Sequence, residues 1–326
     1  MRSDFQEFPP VRASRHGEMT GTGIKPPEPL LHWKHWSIST LLFLVTFLCT
    51  SFAGLIYEVG EFGFFGAFRL SLSNPQLILL GFPFSVPFMA ILLAHELGHF
   101  FACRYYRIHC TPPYFIPAPI SFSGTLGAFI KIKAPFVNRR ALFDVGIAGP
   151  LAGFLVTIPV LWIGISLSRL VPKGLFGDGV ILFGEPPIFR LIGALALGYS
   201  PENHDMLAHP TAMAGWFGLL VTCLNLFPVW QLDGGHIAYA VSGPNIQKKL
   251  SFVVLAALIL TGLYGWPTPS YLFFGILLFV LGSRHKFYHP ATLRDWEPLG
   301  TERKVLAILA LIILVLSFSP VPISIN

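Results

Sequence analysis

The chain has 326 residues, of which 53% are hydrophobic and 12% charged, and its mean hydropathy is +0.65. A soluble globular domain carries about 25% charged residues, so the composition excludes that class and points to a polytopic membrane protein. The formal net charge of +6 comes from basic clusters between apolar runs; these report topology, not a nucleic-acid partner.

In chain order, residues 1–36 hold five prolines and mixed charges and read as a flexible cytoplasmic tail. No cleavable signal-peptide pattern precedes the first apolar run. Spans are assigned to apolar runs of about 20 residues. The first is Ser37 to Ile56, with an external loop to residue 86. Gly54 to Phe68, with Glu58 and Glu61, reads as a small external hairpin. The second span is Pro87 to Tyr105, with Pro87 placed for a helix start. The third is Ala141 to Leu167 and the fourth Thr211 to Trp230. Val180 to Tyr199 is broken by Pro186-Pro187 and carries Arg190, so it reads as an interfacial segment. Ser251 to Tyr264 and Tyr271 to Gly282 flank Pro267 and Pro269 and suit a tight helical hairpin; Val305 to Phe318 is a short last span. The expected fold class is an all-α polytopic membrane protein with about six to seven transmembrane helices.

Basic residues orient these spans. Arg2, Arg12, Arg15, Lys25 and Lys34 precede the first, and Arg104, Arg107, Lys131, Lys133, Arg139 and Arg140 lie between the second and third. The loop from 57 to 86 has only Arg69. The positive-inside rule therefore puts the N-terminus and the 104–140 loop in the cytoplasm. Lys248, Lys249, Arg284, Lys286, Arg294, Arg303 and Lys304 fall on the same side; Arg169, Lys173 and Arg190 are the exceptions. The expected location is integral to a membrane, by default a bacterial inner membrane, with an organellar membrane as the alternative.

Between Ser121 and Lys133, Phe129, Lys131 and Lys133 alternate with Ala128, Ile130 and Ile132, which is strand period. Gly124 and Gly127 permit a bend. The segment suits either a hairpin dipping toward the membrane or an amphipathic surface strand. Cys49, Cys103, Cys110 and Cys223 form no C-x-x-C and read as small core residues.

The chemistry concentrates in His95-Glu96-Leu97-Gly98-His99, set in an otherwise apolar run. On a helix, His95 and His99 share one face, and that spacing lets two imidazoles reach one Zn²⁺ while Glu96 takes a proton from water there. Ionisable residues at membrane depth are functional by default. By parity the second and fourth spans run in the same direction, so Asp233, after Asn225-Leu-Phe-Pro-Val-Trp-Gln-Leu, arrives at the depth of the histidines. Pro228 and Gly234-Gly235 flank Asp233 and break the helix. His236 is the competing third ligand. Asn225 suits either a hydrogen bond to an oxyanion or substrate backbone, or interhelical glue. His109, His204, His209, His285 and His289 read as loop or interface residues.

These paired motifs resemble the site-2 protease family of intramembrane zinc metalloproteases over residues 84–240. Ala148-Gly-Pro-Leu-Ala-Gly153 is similar to that family's small-residue segment. The resemblance implies a three-helix catalytic core and one Zn²⁺ per chain on His95, His99 and Asp233. It further implies Glu96 as catalytic base, Asn225 as an assisting group, and a membrane-dipping hairpin over Gly124–Lys133. The implied function is regulated hydrolysis of membrane-spanning protein substrates, with membrane lipid as the other partner. The chain departs from many bacterial members in lacking a PDZ pattern between the motifs, and residues 241–326 are not expected to form a nucleotide-binding regulatory domain. The domain reading is a tail over 1–36, first helix and external loop over 37–86, catalytic core over 87–240, and C-terminal helices over 241–326. The rival functions are a divalent-metal transporter, which would not need Glu96, and a catalytically idle membrane scaffold.

Overall fold

The computed structural model describes residues 33–59, 63–175, 180–264, 270–283, 287 and 289–325. Most of the expected tail, residues 1–32, lies outside them; its last four residues belong to helix α1, Trp33–Val59. Helix α2 follows, Phe64–Ser73, and then a 3-10 segment, Pro75–Gly81. The expected hairpin over Gly54–Phe68 is therefore absent among the described residues: its two ends are helical. Gly54, at the start of that segment, serves a helix crossing instead. A Cβ on Gly54 would lie 2.4 Å from the Gly81 carbonyl oxygen, and one on Gly81 would lie 1.9 Å from that of Ser51. Small residues here let two backbones touch.

The motif helix, α3, is Phe82–Tyr105. It starts earlier than expected, and Pro87 lies inside it. Pro87 has no N–H for the carbonyl of Pro83, four residues back. That carbonyl instead accepts the hydroxyl of Thr211 at 2.8 Å. A neighbouring helix thus repairs the ladder, which is why an internal proline is tolerated where water is scarce.

Two short strands follow, β1 Tyr114–Pro117 and β2 Thr125–Phe129. They pair antiparallel, Tyr114 with Phe129 and Phe115 with Ala128, with an irregularity before Pro117. Of the alternating stretch from Ala128 to Lys133 only Ala128 and Phe129 lie in β2; beyond it Ile132 makes an isolated bridge with Cys110, and the partner strand of β2 lies in the proline-rich stretch. Helix α4, Arg139–Ser166, is capped by the Asn138 side chain, which accepts the Ala141 N–H. It packs along both α3 and α6, Pro210–Leu226, and α3 also touches α6. Phe84, Phe88 and Phe217 fill the space between α3 and α6, with ring centroids 5.4 to 5.8 Å apart. Lipid is as apolar as these side chains, so close packing holds the helices together here rather than exclusion of water.

Between α4 and α6 the chain makes β3 Arg169–Pro172, β4 Ile181–Phe183, helix α5 Pro187–Leu197 and β5 His204–Leu207. Strand β3 pairs with β5, and β4 pairs with β6, Ile323–Ile325. The segment read as interfacial contains an 11-residue helix, too short to cross a bilayer, which takes about 20 residues. Beyond α6 come α7 Asp233–Ser242, α8 Pro244–Tyr264, α9 Ser270–Ser283 and α10 Thr301–Ser317. Among the described residues, four helical stretches are long and apolar enough to cross a membrane: 33–59, 75–105, 139–166 and 244–264. Helices α6 and α9 are apolar but shorter.

The motif end of the bundle is tied by ions. Arg303 on α10 meets both oxygens of Asp144 on α4 at 2.6 and 2.8 Å, and Tyr106 donates to the same carboxylate. Arg139 meets Asp295 at 2.8 Å and Asn138 donates to Glu297 at 2.7 Å. The Arg139 guanidinium holds the Asp295 carboxyl below its usual range.

The Pro83 repair is testable. Thr211→Val should destabilise the protein in detergent by about 1 kcal/mol, read as a lowered Tm. Adding Pro87→Ala should recover most of that loss, because alanine at this position supplies the missing N–H. Strictly additive losses would show that the carbonyl was not the cause.

Candidate metal centre

His95, Glu96 and His99 are 3, 5 and 7% exposed, and the two histidines lie on the face of α3 that meets α4. Two imidazoles fit there because α4 is nearly bare at two positions one turn apart. A Cβ on Gly149 would sit 2.1 Å from His99 Nε2, and a Cβ on Gly153 would sit 3.2 Å from His95 Cβ. The i, i+4 spacing of the histidines is answered by an i, i+4 spacing of glycines on the antiparallel neighbour. The Ala148–Gly153 segment is therefore a mould for the motif.

Asp233 arrives from the far side. Helix α6 stops at Leu226 because Pro228 cannot continue it. The chain turns through Val229 and Trp230, the latter in the left-handed region at φ 46°, and α7 opens on Asp233. The two glycines that follow have no room for side chains. A Cβ on Gly234 would lie 1.9 Å from the Leu226 carbonyl oxygen, and one on Gly235 would lie 2.3 Å from that of Trp230. They let α7 fold back on the end of α6 and aim Asp233 at α3.

The result is a small triangle. His95 Nε2 and His99 Nε2 are 3.1 Å apart, and Asp233 Oδ2 is 3.3 Å from each. Zinc with four ligands at about 2.0–2.1 Å has ligand–ligand edges of about 3.3 Å, so these atoms are spaced as they would be around one ion. His99 Nδ1 donates to the Val145 carbonyl at 2.8 Å, which leaves the Nε2 lone pair facing the triangle. His95 Nδ1 is buried with no hydrogen-bond partner among the described residues. Two imidazole lone pairs and a carboxylate gathered at this distance, largely out of water, suit a bound cation.

The triangle opens on a cavity of about 190 Å³. Glu96 lines it, as do Asn225, Gln231 and the trailing end of the hairpin from Ala128 to Ile132. The Ile130 N–H faces the Glu96 carboxylate. Asn225 Nδ2 is 3.3 Å from His95 Nε2. All five residues singled out from the sequence thus meet in one place. His236, the competing ligand, lines the same cavity but is not one of the three that converge. It pairs with His289, in the loop before α10, at 2.6 Å. Sequence reading missed Val145 and Gln231. The glycine spacing was visible as a small-residue segment, but its partner was not; His289 carried no signal.

The mould predicts an order of effects. Gly149→Ala should lower metal affinity about 10–100-fold, the cost of disturbing a ligand's orientation. Gly153→Ala, which needs a shift of only tenths of an ångström, should cost less. Zinc titration in detergent measures both, and equal affinities would mean that α4 does not shape the site.

Residues 83–264 match the family model described as peptidase family M50. The chain is 31% identical to an Arabidopsis thaliana protein named probable zinc metalloprotease EGY1, chloroplastic, over 91% of this chain and 55% of that protein. The protein of the same name from Oryza sativa subsp. japonica is 30% identical over 91% of this chain and 52% of its own length. Probable zinc metalloprotease EGY2, chloroplastic, of Oryza sativa subsp. indica is 34% identical over 54% of this chain and 32% of that protein. The chain spans about half the length of the two EGY1 relatives. The matched region runs through both histidines, the glycine mould and Asp233, and on this footing the chain belongs to peptidase family M50.

Proposed function

We propose that this protein is an intramembrane zinc metalloprotease that hydrolyses peptide bonds of membrane-spanning protein substrates. The observation that carries this reading is the triangle of 3.1, 3.3 and 3.3 Å edges with Glu96 beside it, deep in an apolar bundle. His95, His99 and Asp233 would hold one Zn²⁺, which supplies a Lewis acid that acidifies water and polarises a carbonyl oxygen.

The protein's own residues do the rest. Glu96 accepts the proton of the attacking water and delivers one to the leaving amine. Asn225 Nδ2 donates to the carbonyl oxygen as negative charge grows on it. A substrate helix hides its carbonyls in its own hydrogen bonds, so it must unwind before attack. Strand β2 offers an edge for the unwound segment. The Ile130 N–H faces the site, and strand alternation puts the Ala128 N–H on the same edge.

In this reading α3, α4 and α6 are the catalytic core within 87–240. Residues 37–86 are the first transmembrane helix and loop, and 241–326 the C-terminal helices. Six to seven spans require α6, α9 and α10 to cross despite their length. The N-terminus and the metal site then lie toward the cytoplasmic or equivalent face. The word chloroplastic in the relatives' names favours an organellar membrane over the bacterial inner membrane expected at first. Regulated proteolysis of particular substrates follows from the same reading.

Glu96→Gln should keep its zinc and lose cleavage of a tagged transmembrane peptide by at least about 100-fold. Near wild-type cleavage by that variant would sink the mechanism. The edge-strand role makes a separate demand. Ala128→Pro, which removes a donor, should cut cleavage strongly with zinc content and Tm unchanged, whereas Lys131→Gln should matter little. Equal and mild effects would leave β2 an ordinary surface strand.

A further inference from the structure

A second cavity of about 430 Å³ adjoins the metal-site cavity, between the chain from Phe129 to Phe136 and the segment His289–Ala291. The two share Phe129, Ile130, Ile132, Gln231 and His236. His236 therefore stands at their junction, and its hydrogen bonds fix more than its position.

His289 Nδ1 is 2.7 Å from the Pro290 carbonyl oxygen. A carbonyl only accepts, so this nitrogen carries the proton and His289 Nε2 carries a lone pair. His236 Nδ1, 2.6 Å from that lone pair, must be the donor. The chain of bonds runs one way and leaves His236 Nε2 without a proton. Burial presses the His289 pKa down to about 4, so the acceptor is neutral near neutral pH. His236 Nε2 lies across the ring from its bond to His289, and no described residue hydrogen-bonds it. Nor does His236 belong to the set of converging ligand atoms. It is an oriented, unused acceptor beside the place where the proposed function puts an unwound peptide. Such a peptide brings backbone N–H groups that have left their intrahelical partners and need new ones.

We propose that His236 Nε2 accepts a hydrogen bond from a backbone N–H of an extended polypeptide in this cavity, and that His289 is a positioning residue that holds His236 in the competent tautomer. The inference rests on the protease reading and adds to it a second anchor for the substrate backbone, beside the β2 edge. A purely structural histidine pair, joining α7 to the segment before α10, would make no demand on the substrate.

The test is made by binding, in the full-length zinc-loaded Glu96→Gln protein. The probe is a synthetic polyleucine transmembrane peptide with a central Ala-Gly-Ala-Gly stretch, and a series in which single amides become esters. An ester lacks the N–H. At one position the ester should weaken binding about tenfold, the scale of a lost hydrogen bond with an acceptor left bare. His236→Phe should weaken binding to the same extent, and in that background the same ester should have no further effect. His236→Gln keeps an acceptor and should bind nearly normally. Nitrogen-15 NMR of labelled histidine should show His236 protonated at Nδ1, a mixture of tautomers in His289→Phe, and recovery in His289→Gln. Zinc content should not change in any variant. Additive losses at every ester position, a His236 proton on Nε2, or no binding of the parent peptide would overturn the proposal. Failure of the protease reading would show separately, as absence of cleavage by the wild-type protein.

Discussion

The site depends on how closely α3 and α4 approach. Two imidazoles one turn apart are bulky, and in most helix pairs they would hold the backbones apart. Here Gly149 and Gly153 receive them, and Gly146 does the same for His236, whose Cβ lies 2.8 Å from where a Cβ on Gly146 would be. One helix thus carries the chemistry while its neighbour carries the absence of side chains that the chemistry needs. The Val145 carbonyl, which orients His99, adjoins Asp144, which Arg303 grips from α10. Ligand orientation is thereby coupled to the packing of a helix late in the chain.

Asp233 meets this helix pair through a broken helix rather than a continuous one. A carboxylate in the middle of α6 would have its direction set by that helix's axis. Stopping α6 at Leu226, ahead of Pro228, and restarting at Asp233 frees the direction, and Gly234-Gly235 lets the new helix turn back at contact distance. Irregular backbone within a membrane is tolerated where it lines a cavity, and this turn lines one.

Much of this was legible in the sequence. The histidine spacing fixed a helix face. The order and parity of the apolar runs led to the expectation that Asp233 arrives beside the histidines, and the three side chains do converge. What escaped were pairings between distant segments. Gly54 looks like a turn residue but is a crossing point, because a glycine does not declare whether it serves its own backbone or a neighbour's. Pro87 looks like a helix start, and only Thr211 makes it tolerable inside one. The partner of β2 was hidden in a proline-rich stretch whose strand period is interrupted. His289 is separated from His236 by 53 residues, and nothing in its local sequence distinguishes it.

The central claim is that a metal ion sits on two imidazole nitrogens and one carboxylate oxygen contributed by α3 and α7. X-ray absorption of the purified, zinc-loaded protein tests it most directly. The account predicts a first shell of nitrogen and oxygen only, at about 2.0–2.1 Å, with multiple-scattering features of two imidazoles. A sulfur at about 2.3 Å, or the signature of three imidazoles, would contradict it.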